Sequence, residues 1–547
     1  MSLEDLFETK QVDQPPLIHG ILYTKNYHNF TIYSDTGDTL YEFCGVQIAN
    51  KCLSGDHISW DGICHLELRD EHPLLVGTLE LSSKSRYGLT NRGHPLYLFT
   101  PYRKSYPPFI VGCSEKEVSK NKVALIKFDS WKSTFPRGHL DRIFGESGEY
   151  RAEKEALVWN VCPYKWPPYN YPIKQNSNQR KRLEGYTFNI DPLGCKDIDD
   201  VLTFEKIDVG WRITITISDV ASYVEDGGAV DIMASLIGQT VYDKNGKVLR
   251  PMLPHVYSEQ VCSLLPGKES SGISFQFIWD GQISEGTWFQ STFTNQKSYT
   301  YEEFNVDNSY KNILCEVASH LAKEEVNDSH QWIEQMMILY NTEAGKIVKK
   351  MGMGVLRRHN KPNMEKLEKY ARYIPIKHLA LSSAEYCLTD EDASHYGLSS
   401  EIYTHASSPI RRYVDLLNQR VLTRYITKSS DMYIVPLALY DINRREKASK
   451  QFARDLDFLD AIQTNQETKG IIIEKDSSTM NSITTISIYI PVWKRIITTT
   501  YKCIDGRLLS RDEKKEIDAE LYSEVTIKYA CNLNAHNWKE RIIINMD

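Results

Sequence analysis

Ile190-Asp191-Pro192-Leu193-Gly194-Cys195-Lys196-Asp197-Ile198-Asp199-Asp200 follows a β-rich run, Tyr186-Thr187-Phe188-Asn189, and precedes apolar Val201-Leu202. Carboxylates crowded between segments that read as buried repel one another; at ~4 Å and an effective dielectric of ~20 each pair costs roughly 4 kcal/mol. Cations relieve that repulsion. Pro192 and Gly194 favour a bend, so Asp191 can fold back toward Asp197, Asp199 and Asp200. Oxygen-only donors point to a hard cation, Mg²⁺ or Mn²⁺, rather than zinc. The spacing is not that of an EF-hand, because the position-six glycine and the terminal glutamate are missing. Several carboxylates without histidine suit two-metal phosphoryl chemistry, with ions ~3.5–4 Å apart. An acidic, solvated turn is the other reading of the same string.

Downstream, Trp211-Arg212-Ile213-Thr214-Ile215-Thr216-Ile217 alternates strictly and reads as a strand. Gln331-Trp332-Ile333-Glu334-Gln335-Met336-Met337-Ile338-Leu339-Tyr340 reads as helix. Strands followed by helices indicate an α+β domain, placed at 158–463. Upstream, 16–82 and 83–157 read as two small β units. Ile18-His19-Gly20-Ile21-Leu22-Tyr23 and Asn29-Phe30-Thr31-Ile32-Tyr33 are the strands of the first, and Lys122-Val123-Ala124-Leu125-Ile126-Lys127-Phe128 is the clearest of the second. Units of this size suit OB-type barrels, platforms for single-stranded nucleic acid, or any other small barrel. Residues 1–15 are a tail, and 464–547 return to β as a third barrel. The Pro-rich Cys162-Pro163-Tyr164-Lys165-Trp166-Pro167-Pro168-Tyr169 is a connector, followed by a basic stretch from Lys174 to Arg180-Lys181-Arg182.

The second chemical constellation is Tyr403-Thr404-His405-Ala406-Ser407-Ser408-Pro409-Ile410-Arg411-Arg412-Tyr413-Val414-Asp415-Leu416-Leu417. Ser408 is a good N-cap and Pro409 a good first helical residue, so a helix is predicted to start there. Arg411 and Arg412 would then lie in its first turn, where the dipole disfavours cations. A bound phosphate resolves the conflict, since free N–H groups and two guanidiniums make an anion pocket. A salt bridge to Asp or Glu resolves it equally well.

The whole chain has 547 residues, 41% hydrophobic and 25% charged, with 65 basic against 72 acidic side chains. That length predicts three to four domains. No run approaches the ~20 apolar residues of a membrane helix, and Met1-Ser2-Leu3-Glu4-Asp5 opens without a signal-peptide pattern. No membrane partner is expected. The net charge of −7 means that any nucleic-acid contact must be a local channel rather than a basic coat. Eleven scattered cysteines with no C-x-x-C pair fit buried thiols in a reducing compartment, the cytoplasm by default.

Taken together, the acidic and arginine constellations resemble the catalytic module of the RNase II/RNase R (RNB) exoribonuclease family, especially its exosome-type branch. His405 through Tyr413 is similar to the family's H-F-T-S-P-I-R-R-Y signature, with Ala406 and Ser407 differing. Further matches are Ser218-Asp219-Val220-Ala221, Met252-Leu253-Pro254, Leu356-Arg357-Arg358-His359 and Ile442-Asn443-Arg444-Arg445-Glu446. Pro136-Arg137-Gly138-His139 and Gly145-Glu146-Ser147-Gly148 resemble the branch's second cold-shock barrel.

The resemblance implies a multidomain fold: an α+β RNB domain flanked by two N-terminal cold-shock-type barrels and one C-terminal OB-type barrel. It implies 3′-to-5′ hydrolysis of single-stranded RNA to nucleoside 5′-monophosphates with two Mg²⁺ ions, for which Mn²⁺ can substitute. Asp191, Asp197, Asp199 and Asp200 would serve the metals, and Asp199, Arg411 and Arg412 would be catalytic. Tyr242, Ser408, Arg411 and Arg412 would meet the RNA, Tyr242 by stacking near the 3′ end. Thr216 and Gln419 depart from the family, where histidine is common, and the final barrel is divergent. A catalytically silent RNA-binding paralogue, and more weakly a metal-dependent DNase, are the competing readings. A monomer is expected. The stretch before the first barrel is too short for the endonuclease domain of exosome catalytic subunits, which argues against exosome association.

Overall fold

A computed structural model describes residues 17–34, 37–69, 73–168, 171–173, 179–306, 309–370, 373–429, 431, 439–463, 467–478, 483–504, 507–509, 516–517, 519–532, 535–536 and 540–546. The tail 1–15 and Lys174 of the basic stretch lie outside them. The chain forms two compact units, one of Met1–Pro163 with Gln451–Asp547 and one of Tyr164–Lys450.

The first unit holds three β assemblies that repeat one strand order. Ile18–Thr24, Asn29–Tyr33, Thr39–Cys44, His57–Trp60 and Cys64–Leu68 run third-second-first-fourth-fifth. Leu74–Leu79, Leu96–Pro101, Phe109–Gly112, Lys122–Ser130 and Arg137–Glu146 follow the same path. Here the parallel pairs Arg137↔Ile110 and Gly138↔Val111 join third to fifth strand and close a barrel. The first sheet lacks that closing pair among the described residues. Glu467–Ser478, Ile483–Ile490, Arg495–Ile504, Glu524–Cys531 and Ile542–Met546 repeat the order once more, with Arg507–Leu509 and Glu516–Ile517 added beyond the third strand. This common path is that of the OB fold.

Two expected boundaries move. Leu74–Leu79 pairs with Lys122–Ser130 and Leu96–Pro101, so the first two β units divide between Leu68 and Leu74, not at 82/83. Leu74-Leu75-Val76 is apolar like the run before it, and only pairing reveals which core it joins. The α+β unit spans 164–450, where 158–463 was expected.

The second unit is built on a seven-stranded sheet. Its order is Lys181–Arg182, Thr287–Thr294, Glu269–Trp279, Gly210–Ser218, Asp200–Ile207, Tyr186–Ile190 and Lys297–Tyr299. Both faces of the central Gly210–Ser218 strand are covered from Ile213 onward, so its alternation does not mark a solvent face. Its isoleucines enter the main core, while Thr216 bonds Ser274 Oγ at 2.7 Å, which in turn bonds Ser291 Oγ at 2.7 Å. A hydroxyl chain thus satisfies the polar face without water.

Against this sheet pack the helices Ser329–Met351 and Tyr413–Thr427. The first starts where Asp328 accepts the His330 N–H and stops at Gly352, whose φ of 64° a left-handed C-cap requires. Trp332, Met336, Tyr340 and Ala344, one face of that helix, are fully buried. Each large apolar side chain so buried contributes roughly 1.5–3 kcal/mol. This core is the rigid floor under the acidic loop.

Candidate active site

The acidic loop is the turn between neighbouring antiparallel strands, Tyr186–Ile190 and Asp200–Ile207. Gly194, at φ 82°, makes the predicted bend. Asp191 is held at the end of the first strand by its own N–H, which donates to Tyr299 O at 3.0 Å, and by Asn189 Nδ2, which donates to its carboxylate at 2.8 Å. Asp197 accepts from the Tyr242 hydroxyl at 2.6 Å and from the Cys195 thiol at 3.7 Å. Asp199 is 4% exposed, with Asp191 and Asp200 half-buried on either side. The solvated-turn reading fails: only the tip, Pro192, Leu193 and Gly194 with Lys196, faces water.

Burial dominates the electrostatics. It pushes the Asp199 carboxyl up to about 7 against the pull of Arg411 and of the Ile410 N–H, with Asp197 and Asp415 adding to the rise. Asp200 is driven well above the ordinary carboxylate range by burial, then by Asp191 and Asp199. Asp191 is raised too, by burial first, while Asn189 and Arg411 oppose the shift. Burial, more than mutual repulsion, thus makes three neighbouring acids hold protons more tightly than free aspartates.

The arginine segment comes from far along the chain and meets the loop directly. Ile410 N–H donates to Asp199 Oδ1 at 2.9 Å, and Arg411 Nε donates to Asp199 Oδ2 at 3.1 Å. Arg411 remains 44% exposed in its side chain, so one edge of its guanidinium is available. Burial works against that charge, but Asp199, Tyr242 and Asp415 more than offset it and keep it firmly protonated. Arg412 turns away and donates to Asp415 Oδ1 at 2.8 Å. Both arginines are therefore ion-paired, which is the salt-bridge reading.

The helix does not begin at Ser408. It spans Tyr413–Thr427, and residues 408–411 form a turn in which Arg411 and Arg412 N–H groups both point to Ser408 O. Arg412 is extended, at φ −131°. Thr240 N–H donates to Arg411 O at 2.9 Å and Tyr413 N–H to Gly238 O at 2.9 Å. Those bridges consume backbone groups that an earlier helix start would have used, so tertiary pairing overrides the Ser-Pro capping signal.

Several positioning residues had no signal in the motif. Asn341, in the middle of Ser329–Met351, accepts from Ala406 N–H at 2.8 Å and donates to Ser407 Oγ at 3.1 Å. Asn418, in Tyr413–Thr427, accepts from Val355 N–H at 3.0 Å and donates to Val355 O, Thr404 Oγ1 and His405 O at 3.0, 2.8 and 2.9 Å. A polar amide inside an apolar helical stripe was the available clue. Gln419, one of the departures from the family, accepts from Ala221 N–H at 2.9 Å and donates to Ser218 O at 2.7 Å, tethering the end of the central strand. Tyr301 also borders the acids: burial, then Asp191 and Asp200, raises its phenol above the ordinary range. His405 bonds the Tyr386 hydroxyl through Nδ1 at 2.8 Å and is kept neutral by burial, then by Arg412 and Arg357.

Among the described residues, no three His, Cys, Asp or Glu side chains converge closely enough to hold a metal ion. Asp199, Asp197 and Asp191 spend oxygens on Arg411, Ile410, Tyr242, Cys195 and Asn189. The donor chemistry nevertheless fits a hard divalent cation: all oxygen, crowded and short of positive charge.

Comparison with known proteins places the domains in families. The RNB domain family matches residues 180–312 and 306–428, and the Dis3-like cold-shock domain 2 family matches 96–161. The human exosome complex exonuclease RRP44 is 25% identical over 484 residues, covering 69% of this chain and 50% of that protein. Ribonuclease R of Buchnera aphidicola is 24% identical over 478 residues, covering 70% of this chain and 64% of that one. The chain thus spans about half the length of the first curated relatives it matches. Mycoplasma genitalium RNase R, solved with ribose-methylated single-stranded RNA, shares the fold with a TM-score of 0.72 at 16% identity, over 97% of this chain and 100% of that one. Yeast Ssd1, described as a pseudonuclease, aligns with a TM-score of 0.68 at 16% identity, over 94% and 81% of the two chains.

Proposed function

This chain carries an RNB domain joined to a Dis3-like cold-shock domain and belongs to the RNase II/RNase R (RNB) family; on that premise we propose that it is a 3′-to-5′ exoribonuclease hydrolysing single-stranded RNA to nucleoside 5′-monophosphates. The observation that carries the reading is the meeting at Asp199. Segments 212 residues apart deliver a backbone N–H and a guanidinium to one buried carboxylate. Nothing in local folding requires that contact, and phosphodiester hydrolysis uses both partners.

Asp191, Asp199 and Asp200, with Asp197 beside them, would hold two Mg²⁺ ions, Mn²⁺ being able to substitute. Such ions, when bound, activate water and offset charge on the phosphate. Arg411 is the residue placed to grip the scissile phosphate, because its guanidinium is fully charged and partly open. Its bond to Asp199 keeps that charge aimed at the acids until RNA competes for it. Ser408 Oγ accepts from Arg411 NH2 at 2.9 Å and fixes the approach of the grip. Arg412 assists from its pair with Asp415. Tyr242 borders the acids through Asp197, and its ring is the surface offered to the terminal nucleotide. Stacking on such aromatics holds a strand at ~1–3 kcal/mol per base without reading sequence.

The partner we propose is single-stranded RNA, handled by a cytoplasmic monomer. The second reading, a silent RNA-binding scaffold, is favoured by Thr216 and Gln419, which stand where the family often has histidine, and by the fold shared with a pseudonuclease. The retained acids and arginines favour the enzyme. Incubating 5′-labelled single-stranded RNA with Mg²⁺ decides: stepwise shortening with mononucleotide release, abolished by EDTA and by Asp199→Asn, is expected. Tight binding of intact RNA under the same conditions would establish the scaffold instead.

A further inference from the structure

We propose that Asp415 is a positioning residue of the phosphate grip, locking through Ser408 the turn that aims Arg411; this rests on the reading of Arg411 as a phosphate ligand. Asp415 lies in the first turn of Tyr413–Thr427 and is 0% exposed. An acid there complements the helix dipole, which alone would explain its charge but not its contacts. Its Oδ1 accepts two bonds, from Ser408 N–H at 2.7 Å and from Arg412 NH2 at 2.8 Å. The first of these pins the opening amide of the turn whose serine hydroxyl holds Arg411 NH2.

Two buried carboxylates therefore grip alternate amides of one turn: Asp415 takes Ser408 N–H, and Asp199 takes Ile410 N–H. The two pins are not equivalent. Asp199 also belongs to the acids that cations would claim. Asp415 takes its bonds from Ser408 and Arg412, within the arginine segment itself. Its second oxygen, Oδ2, and the Nε of Arg412 are buried without a hydrogen-bond partner. The Arg412–Asp415 pair is thus single-stranded where a two-pronged pair was available, and Arg412 can leave for a phosphate while Ser408 N–H still holds the carboxylate.

The test is a double-mutant cycle on binding, so that it does not depend on turnover. Affinity of the full chain for a 2′-O-methyl single-stranded RNA is measured by anisotropy across a salt series, for wild type, Asp415→Asn, Ser408→Ala, Arg411→Ala and the two doubles with Arg411→Ala. Asp415→Asn and Ser408→Ala are each expected to weaken binding about tenfold and to flatten the log–log salt slope by about 0.7, the value of one lost phosphate contact on a single strand. Neither should weaken Arg411→Ala more than about twofold further. A merely structural role would lower the melting temperature and leave the slope of the folded fraction unchanged. Full additivity with Arg411→Ala, or an unchanged slope in both single variants, overturns the proposal. If Asp415→Asn does not fold, Ser408→Ala alone still decides, since its coupling to Arg411 is the link through which Asp415 acts. Wild type that binds the RNA but releases no nucleotides from a cleavable strand sinks the nuclease reading and leaves this one standing; wild type that binds no RNA sinks both.

Discussion

The acidic loop and the arginine segment meet at one carboxylate, yet they are built in opposite ways. The loop has a local frame, although Tyr299 and Tyr242 hold Asp191 and Asp197 from elsewhere in the chain. Its flanking strands pair with each other, and its bend needs only Pro192 and a glycine free to adopt φ 82°. The arginine segment is held from outside at nearly every point: by Asn341, Asn418, Asp199, Gly238 and Thr240, drawn from four separate stretches of chain. One half of the site therefore forms where its own sequence says it will, and the other takes whatever shape the surrounding core imposes.

The sharpest break between the halves comes at their meeting point. Asp199→Asn keeps an acceptor for Ile410 N–H but loses the charge that faces Arg411, and hydrolysis of labelled RNA is expected to fall about a thousandfold. Circular dichroism should remain that of the wild type.

Stability without divalent ions comes next. The folded Asp199 carboxyl titrates near 7, above its ordinary value of 3.8, so the protein binds an extra proton between those limits. That contribution to stability is fully present below about pH 4 and is lost as pH rises toward 7, a change of a few kcal/mol. Thermal melts in EDTA should show the melting temperature falling across that window. Mg²⁺ should restore it at pH 8 and do little at pH 4.5. A flat profile in EDTA would mean that the loop is not the charge-starved half of the site.

On the other side, Asn418→Ala strips partners from buried groups of Val355, Thr404 and His405 and should cost about 3 kcal/mol in urea unfolding. The smallest effect tests the loop's independence. A Cβ at Gly194 meets nothing within 4 Å, so Gly194→Ala should cost only the backbone term, about 1 kcal/mol by the same measurement. A larger loss would show that the loop, too, leans on its surroundings.

Much of the fold was legible because its signals are local. The Tyr186–Ile190 strand, the helix over Gln331 to Tyr340 and the β character of the described residues from Glu467 onward all appear as read. The barrel boundary was not legible, since Leu74–Leu79 is apolar whichever core it joins and only pairing with Lys122–Ser130 decides. The helix start was misread for a related reason. Ser408-Pro409 is a sound cap, but Gly238 and Thr240 offered the backbone better partners.

The amino-acid order alone determined which groups the site contains: four aspartates in a bend, two adjacent arginines, and the strands and helices that carry them. Their type, spacing and periodicity depend on nothing outside each stretch. Only the tertiary structure decided what those groups do to one another. That Asp199 is the acid Arg411 meets and that Tyr242 reaches Asp197 follow from hydrogen bonds between residues 212 and 45 positions apart. Such bonds are worth making only once a packed core has removed water as the competing partner, so no local pattern announces them.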